Sequence, residues 1–261
     1  MSVKRHIIIP ARLKSTRLPE KPLRYIGHEP MIVHVYRQAL KCGFDSVCVA
    51  TDDAKIAACI ENIGGQVVMT SSQHTSGTAR LAEVAHQKNY HDMDIIVNIQ
   101  GDEPCIPPTN VQQVAQLLES DAQVPIATLS EPIHDIDSIF DSNCVKVIVN
   151  HQGHALYFSR APIPWQRGSF EKSNALATQK LAGYQRHIGL YGYRAHFLKA
   201  FDQFDTCLLE DYEALEQLRF LWHGYTITVA SANAATPPGV DTEADLNRVC
   251  QWLENSNDNQ Q

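Results

Sequence analysis

The sequence predicts an α/β fold, in which a mostly parallel central sheet carries helices on both faces. As far as residue 99, segments rich in Val and Ile alternate with helix-length segments in the order β-α-β-α-β-α-β. The strand segments are almost continuously apolar, which is typical of parallel strands buried on both faces. Polar loops follow the first, third and fourth strands. Because ligands bind such sheets beyond the carboxyl ends of the strands, these loops are the predicted site.

The elements of the first half follow from local signals. Four strands are predicted, at residues 7–9, 46–51, 66–70 and within 94–104. The first helix is predicted over Pro30–Cys42, with the proline at its first position. The second follows Asp52–Asp53, which can cap it, and ends at Gly64–Gly65. The third is entered from the polar loop at 71–77.

The second half predicts further strands, some of them antiparallel additions to the sheet. They lie at residues 124–128, 144–149, 155–159, 187–193 and 226–230. A helix is predicted over Glu210–Trp222, with an apolar stripe made by Leu215, Leu218, Leu221 and Trp222. A closing helix should begin after Asp241 or Thr242, either of which can cap it.

No linker or repeat divides the chain, so we predict one domain over residues 1–261. Residues 161–184 lack a clean periodicity and are predicted to be a long loop, which in a compact domain is often functional. Residues 254–261 are polar and are predicted to form a flexible tail.

Composition restricts the class of protein. Of the 261 residues 44% are hydrophobic, which is ordinary for a globular core. The net charge of −7 disfavours nucleic acid as a partner and requires any phosphate site to be built from local cations. The seven cysteines form no CxxC pair, which indicates a reducing cytoplasm. No stretch approaches the roughly 18 apolar residues of a membrane helix, so no membrane insertion is predicted. The chain also contains no GxxxxGK[ST] phosphate loop.

The segment HIIIPARLKSTRLPEKPL, residues 6–23, is a buried strand that runs into a cationic loop. The loop carries Arg12, Lys14, Arg17 and Lys21. Prolines at positions 10, 19 and 22 prevent helix formation, so cations and backbone N–H groups stay free to face a ligand. A polyanion such as a nucleoside triphosphate suits this loop. The alternative is a solvated surface loop at the end of a strand.

Two carboxylates follow predicted strand ends. Asp102 comes after a buried strand and after Gly101, which would let a ligand approach the backbone closely. Asp241 follows a turn after the last strand. Mg²⁺ takes one or two protein carboxylates together with phosphates and water, so the pair can hold this ion. The alternatives are an acidic turn at Asp102 and a simple helix cap at Asp241.

Seven segments in order resemble one family, the 3-deoxy-manno-octulosonate cytidylyltransferases, also called CMP-Kdo synthetases. They are IPARLKSTRLPEKPL, VVMTSSQHTSGTARLAEV, VNIQGDEP, ALYFSRAPIPW, RHIGLYGYR, LEDYEALEQLR and GVDTEADLNRV, and they cover residues 6–250. The resemblance implies a Rossmann-like nucleotidyltransferase fold and a homodimer. It also implies formation of CMP-Kdo and pyrophosphate from CTP and Kdo (3-deoxy-D-manno-octulosonate), with Mg²⁺, for lipopolysaccharide biosynthesis.

The resemblance also implies roles for individual residues. Arg12 and Lys21 match cations on the triphosphate, and Ala11, Ser76, Gly77 and Arg80 fall in segments around the nucleotide. Asp102 and Asp241 match the metal carboxylates. The positions that line the sugar site are Gln100, Arg160, His187, Tyr191, Glu216 and Gln217. Arg160, with its planar fork, is the leading candidate for the Kdo carboxylate, and Glu216 has the alternative of pairing with Arg219.

Two departures from the family pattern are visible. Ala79 stands where the family has an acidic residue in SGTER, and Glu20 stands where the loop more often reads PGKPL. These leave open an activity on 8-amino-3,8-dideoxy-Kdo. A CMP-sialic acid synthetase or a sugar-1-phosphate enzyme would share the first loop but not ALYFSRAPIPW. A glycosyltransferase would lack the triphosphate-gripping cations, and a non-catalytic paralogue would be expected to lose Asp102, Asp241 or Lys21.

Overall fold

A nine-stranded mixed sheet forms the centre of the computed structural model. The structure describes residues 2–15, 17–74, 76–168, 170, 181–237 and 239–258, and in the last range it describes side chains as far as residue 253. Its strands and those of a separate two-stranded ribbon are β1 (Arg5–Ala11), β2 (Tyr25–Ile26), β3 (Glu29–Pro30), β4 (Ser46–Thr51), β5 (Val67–Met69), β6 (Ile95–Asn98), β7 (Ile126–Pro132), β8 (Lys146–Val149), β9 (Ala155–Ser159), β10 (Gln185–Arg194) and β11 (Ile227–Ser231). The helices are α1 (Met31–Leu40), α2 (Ala54–Glu61), α3 (Gly77–Gln87), α4 (Pro108–Ser120), α5 (Ile136–Phe140), α6 (Ala195–Lys199), α7 (Leu208–Glu213), α8 (Gln217–Trp222) and α9 (Glu243–Asp258).

The sheet has a parallel half and a mixed half. Its order is β11-β7-β10-β6-β1-β4-β5, and β5, β4, β1 and β6 are all parallel to their neighbours within this set. Strand β10 is antiparallel to both β6 and β7, while β11 is parallel to β7. Strands β8 and β9 form a small antiparallel extension beside β10. The predicted mostly parallel sheet with an antiparallel extension is confirmed.

Helices cover both faces of the sheet, as predicted. Ile7 and Ile9 of β1 enter one apolar cluster, which includes buried residues of α1 and α4. Ile8, between them, enters a second cluster with residues of α3 and α8 on the opposite face. All three isoleucines are fully buried. Because successive side chains of a strand point to opposite faces, a strand with a core on each side must be continuously apolar.

Local capping signals position the first helices. Asp53 caps α2 by accepting from the backbone N–H groups of Lys55 and Ile56. Beyond the helix, Gly64 has a φ of +75° and the N–H of Gly65 returns to the carbonyl of Ile60 at 2.9 Å. The predicted cap and glycine stop of this helix are therefore confirmed.

The predicted helix over Glu210–Trp222 is wrong. Ala214 has a φ of +49°, in the left-handed region, and divides the segment into the short helices α7 and α8. Of the predicted apolar stripe, Leu215 and Leu218 are buried, whereas Trp222 is 62% exposed. Helix α4, which was not predicted, packs on the sheet beside β7 and β10.

The closing helix begins as predicted and extends further. The Thr242 hydroxyl accepts from the N–H of Asp245 at 3.2 Å, and the Asp245 carboxylate accepts from the N–H of Thr242 at 2.9 Å, so the two residues cap each other. Helix α9 continues through Asp258, into the segment 254–261 predicted to be a tail, whose residues 259–261 lie outside the described residues. Much of the predicted loop at 161–184, namely 169 and 171–180, also lies outside them. Within the described part of the chain, no helix is both long enough and apolar enough to span a bilayer.

Candidate active site

A pocket lies at the carboxyl ends of β1 and β6, where the sequence predicted it. Its lining consists of residues 10–12, 14, 15, 17, 21, 22, 74, 76, 77, 80, 100–102 and 241. The residues predicted for the nucleotide and the metal all line it, together with one of the predicted sugar residues; these are Ala11, Arg12, Lys21, Ser76, Gly77, Arg80, Gln100, Asp102 and Asp241. Four segments that are distant in sequence therefore meet at one edge of the sheet.

The backbone explains how the cationic loop reaches this edge. Leu18 is buried and anchors the middle of the loop, and residues Lys21–Leu23 form a single 3₁₀ turn. Glu20, just before that turn, has a φ of +52° and a ψ of +33°. This is the left-handed conformation that glycine adopts freely and that other L-residues adopt at a cost of about 1–2 kcal/mol. The conformation accounts for glycine as the family's usual residue here, and in this chain the Glu20 carboxylate bonds to Lys55 at 3.1 Å.

One ammonium group joins the two predicted metal carboxylates. Lys21 Nζ donates to Asp102 Oδ2 at 2.5 Å and to Asp241 Oδ1 at 3.0 Å. Burial alone would lower the pKa of Lys21, but attraction to the two carboxylates outweighs burial and raises this pKa above its usual value. The backbone adds a further link, because the N–H of Val240 donates to the carbonyl of Asp102 at 2.9 Å.

The donor set fits a hard divalent cation. Asp102 and Asp241 face the same point in a pocket that is otherwise cationic, and Arg17 lies 3.0 Å from Asp241. No group of three His, Cys, Asp or Glu side chains suited to a metal occurs among the described residues. Two carboxylates suffice for Mg²⁺ when phosphate oxygens and water supply the remaining ligands.

The packing of two loops against each other requires glycine at position 101. The predicted reason was a different one, the close approach of a ligand. A Cβ at this position would lie 2.9 Å from the carbonyl oxygen of Pro10 and 3.5 Å from Ala11. The loop that carries Asp102 therefore packs directly on the end of β1, and a side chain there would push the two loops apart.

Arg80 lines the pocket but is held by protein groups. Its side chain is only 5% exposed, it forms an ion pair with Asp52 at 3.0 Å, and it donates a hydrogen bond to the Thr70 hydroxyl. Arg12, by contrast, is exposed in the same pocket. The two arginines, both predicted near the nucleotide, thus differ in how much charge they can offer to it.

Four predicted sugar-site residues do not line the pocket and lie on β10 and at the start of α8. Burial, reinforced by the charge of Arg186, lowers the pKa of His187 to about 3, so this imidazole is neutral at physiological pH. Its Nε2 lies 3.2 Å from the Thr128 hydroxyl, and its ring centroid lies 5.3 Å from that of Tyr191. Tyr191 is buried and His187 is partly buried, so β10 presents two neutral polar side chains.

Glu216 connects this region with the nucleotide pocket. Its carboxylate accepts from the hydroxyl of Thr78, two residues beyond the pocket-lining Ser76. Burial raises the pKa of Glu216, and hydrogen bonds from the Ser76 and Thr78 hydroxyls oppose that rise. The alternative pairing of Glu216 with Arg219 is not observed, because Arg219 donates to Glu210 at 2.6 and 2.7 Å.

Two buried amide side chains beside these residues are incompletely bonded. Gln217 Nε2 and Asn98 Oδ1 are buried without a hydrogen-bond partner among the described residues. Asn98 is directly opposite Tyr191 in the pairing of β6 with β10. Unsatisfied polar atoms of this kind cost about 1–3 kcal/mol each, and both lie beside the predicted sugar residues. Asn98 was missed, although an amide inside the apolar run IIVNI is a visible signal.

Arg160 lies outside the pocket and uses its guanidinium on the backbone. It donates to the carbonyls of Glu213 at 2.6 Å, Ser142 at 2.8 Å and Ala214 at 3.5 Å. The fork predicted to hold a ligand carboxylate therefore joins α7 to the loop before β8. A role in sugar binding stays a prediction.

His74 is a pocket residue that the sequence analysis did not select. Its Nε2 lies 2.5 Å from a Glu83 carboxylate oxygen that also accepts from the N–H of Ser71 at 2.8 Å. Its position two residues before the SGT sequence was the available signal. Ala79, the departure from SGTER, is partly buried against the second apolar cluster.

Comparison with known proteins identifies the family. A family model described as "Cytidylyltransferase" matches residues 6–227. A protein of Nitrosococcus oceani named 3-deoxy-manno-octulosonate cytidylyltransferase is 51% identical over 247 residues, which cover 95% of each chain. One of the same name from Aeromonas hydrophila is 50% identical over 253 residues, with 95% of this chain and 98% of that one covered.

Solved structures agree with these sequence relatives. The structure of CMP:2-keto-3-deoxy-manno-octonic acid synthetase complexed with CTP superposes with a TM-score of 0.87 at 42% identity, covering 97% of this chain and 99% of that one. A 4-diphosphocytidyl-2C-methyl-D-erythritol synthase, 13% identical, shares the fold alone with a TM-score of 0.64. The predicted Rossmann-like nucleotidyltransferase fold is confirmed, and the chain belongs to the 3-deoxy-manno-octulosonate cytidylyltransferase family.

Proposed function

We propose that this protein transfers the cytidylyl group of CTP to Kdo, forming CMP-Kdo and pyrophosphate. The observation that carries the proposal is the pocket in which Lys21 meets Asp102 and Asp241 among further cations. Such a mixture suits a triphosphate that arrives with a divalent cation. The names of the relatives supply the identity of the sugar.

The triphosphate is proposed to lie against the cationic loop. Arg12, Lys14 and Arg17 line the pocket beside Lys21, so positive charge is concentrated in a protein whose net charge is −7. The Ser76 hydroxyl, at the start of α3, accepts from the N–H of Ala79 at 3.2 Å and donates to the Glu216 carboxylate. The cations rather than this hydroxyl would therefore bear the phosphate charge.

Mg²⁺ is proposed as the cofactor, held by Asp102 and Asp241. When bound it would supply positive charge to the phosphate oxygens, as it does in other phosphoryl-transfer enzymes. The residues of the chain would orient the triphosphate and neutralise the remaining charge. No covalent intermediate with the protein is needed.

The sugar is proposed to occupy the space beside His187, Tyr191, Glu216 and Gln217, with Gln100 at the boundary to the nucleotide. Neutral His187 can exchange hydrogen bonds with hydroxyl groups without adding charge. Gln217 Nε2 and Asn98 Oδ1, which lack partners among the described residues, would gain them from the same hydroxyls.

In the reaction the anomeric hydroxyl of Kdo forms a bond to the α-phosphorus of CTP and loses its proton. The bond from that phosphorus to the bridging oxygen breaks, and pyrophosphate leaves. Arg12 and Lys21 would stabilise charge on the phosphate oxygens, so the protein acts mainly by positioning and electrostatics.

The test is pyrophosphate release from CTP and Mg²⁺ with Kdo, 8-amino-3,8-dideoxy-Kdo, sialic acid or no sugar. We expect the rate of release with Kdo to exceed the rates in the other reactions at least about a hundredfold, a difference of some 2.7 kcal/mol. A preference for the amino sugar would assign the alternative activity that Ala79 leaves open. No release with any of these sugars would refute the proposal.

The resemblance extends the proposal to a cytoplasmic homodimer that serves lipopolysaccharide biosynthesis. Leu208 and Tyr212, one helical turn apart on α7, are 65% and 81% exposed and offer apolar surface that a second copy could cover. Light scattering of the purified protein would distinguish a dimer from a monomer.

A further inference from the structure

Lys21 serves two partners at once. Its ammonium lies within 3.0 Å of one oxygen of Asp102 and one oxygen of Asp241. Its side chain is 15% exposed, whereas those of the two carboxylates are 30% and 44% exposed. The lysine is therefore the most enclosed member of this group and lies between the two acids.

The contact satisfies a need created by the fold. Asp102 and Asp241 belong to loops that are joined through the Val240–Asp102 backbone bond. Two carboxylates held close together repel each other unless a cation lies between them. Lys21 supplies that cation, and Arg17 supports Asp241 from its exposed side at 3.0 Å.

A divalent cation bound by both acids would take the place between them that the Lys21 ammonium occupies. Mg²⁺ lies about 2.0–2.1 Å from each carboxylate oxygen that ligates it, and an ion and an ammonium held so close to the same two carboxylates repel each other. An ion that bridges Asp102 and Asp241 therefore displaces the Lys21 ammonium from its place between them.

We propose that Lys21 and the divalent cation compete for Asp102 and Asp241, so that the cation binds tightly only together with CTP. The triphosphate gives the displaced ammonium a new anionic partner, and lysine suits this exchange because its charge sits on a long flexible stem. The inference rests on the proposed function, since it takes the two acids as the metal ligands and CTP as the nucleotide.

The charges of the pocket point the same way. Four cations, Arg12, Lys14, Arg17 and Lys21, face two acids, while Arg80 is balanced by Asp52. A divalent cation entering alone would increase the positive excess. The complex of the ion with CTP is negatively charged, so an ion that enters together with CTP would reduce the excess of positive charge in the pocket.

The experiment measures Mn²⁺ binding by electron paramagnetic resonance, without nucleotide, to the wild type and to Lys21→Met. We expect the variant to bind Mn²⁺ at least about tenfold more tightly, because both the competing bond and a repelling charge are removed. Lys21→Arg should stay near the wild-type affinity. Equal affinities of the wild type and Lys21→Met would overturn the proposal.

Lys14→Met is the matched control. It removes the same charge from the same pocket, but Lys14 has no bond to either carboxylate among the described contacts. We expect a change in Mn²⁺ affinity below about threefold, because only a screened charge is lost. A gain equal to that of Lys21→Met would mean general electrostatics and would overturn the competition. Lys21→Gln replaces Lys21→Met if the methionine variant does not fold by circular dichroism.

The outcome can be separated from that of the proposed function. Wild-type protein that makes CMP-Kdo, with equal Mn²⁺ affinity in wild type and Lys21→Met, would refute only the competition. Wild-type protein that makes no product and binds no Mn²⁺ even with CTP would refute the proposed function. The affinity for Mn²⁺ is measured without turnover, so a gain of this affinity in Lys21→Met tests the competition between Lys21 and the metal ion directly.

Discussion

Arg80 provides the sharpest test of how the pocket is built, because sequence and structure suggest different roles for it. The resemblance places it near the nucleotide. In the structure its guanidinium forms an ion pair with Asp52, donates a hydrogen bond to Thr70 and is almost completely buried. Replacing it by methionine keeps most of the apolar stem and removes only the charged bonds.

The magnitude follows from those contacts. Removing one partner of a buried pair costs about 3–5 kcal/mol, and Asp52 is 25% exposed, so water recovers part of that loss. We therefore expect Arg80→Met to lower the free energy of unfolding by about 2–3 kcal/mol, which in a chain of this size lowers Tm by about 5–10 °C.

The assay compares Arg80→Met with Arg12→Met by thermal denaturation and by the KM for CTP. Arg12 is exposed in the same pocket, so its loss should change Tm by less than about 1 °C and raise this KM about tenfold or more. An Arg80→Met protein that melts like the wild type but has a strongly raised KM for CTP would refute the structural role and restore the ligand role.

Three further predictions concern the acids, Arg160 and His187. Asp102→Asn and Asp241→Asn should each lower kcat about a hundredfold or more with the fold intact by circular dichroism, and turnover near wild type would remove both from the metal site. Arg160→Lys should raise the KM for Kdo, with that for CTP little changed, and should also lower Tm because bonds to backbone carbonyls are lost; a lower Tm with unchanged KM for Kdo would leave this arginine a structural residue. The folded protein keeps His187 neutral, with a pKa of about 3 against 6.5 for the free side chain, so the unfolded chain takes up the proton first and stability should fall as pH decreases through this window. The loss is at most about 1.4 kcal/mol per pH unit, and urea unfolding of His187→Gln should show a shallower loss; the same slope as wild type would contradict the assignment.

Elements with strong local signals could be predicted from the sequence. Strands β4 and β9 have the predicted bounds, and Asp53 caps α2 as expected. A helix cap or a terminating glycine acts over a few residues, so the residues next to it in sequence are enough to predict where the helix begins or ends. Ala214 shows the limit, because its left-handed backbone is decided by how α7 and α8 pack and not by an alanine's own preference.

Helix α4 shows a different failure. Val111, Val114, Ala115 and Leu118 are all buried and have the spacing of one helical face. The signal is present in the sequence and was not recognised. Strand β7 was predicted four residues short at its carboxyl end, where Glu131 is bonded to Arg186 of the neighbouring strand and extends the pairing.

For the site, the segments could be predicted but the partners of their side chains could not. Parallel strand ends share an edge, so the loops at 10–22 and 100–102 had to meet. Whether an arginine in such a loop faces a ligand or the protein depends on contacts from distant residues. Arg80 and Arg160 both bind protein groups that are distant in sequence, and no local sequence pattern predicts these contacts.

The bond between Lys21 and Asp241 also bears on the order of folding. It closes a chain separation of 220 residues, while the bond between Lys21 and Asp102 closes 81. Bringing such distant residues together costs loop-closure entropy that early, local structure does not repay. Helices and the β1–β4 pair can therefore form before the pocket does. Retention of CTP would then report the last long-range docking event, and it would lag behind the recovery of helical circular dichroism during refolding.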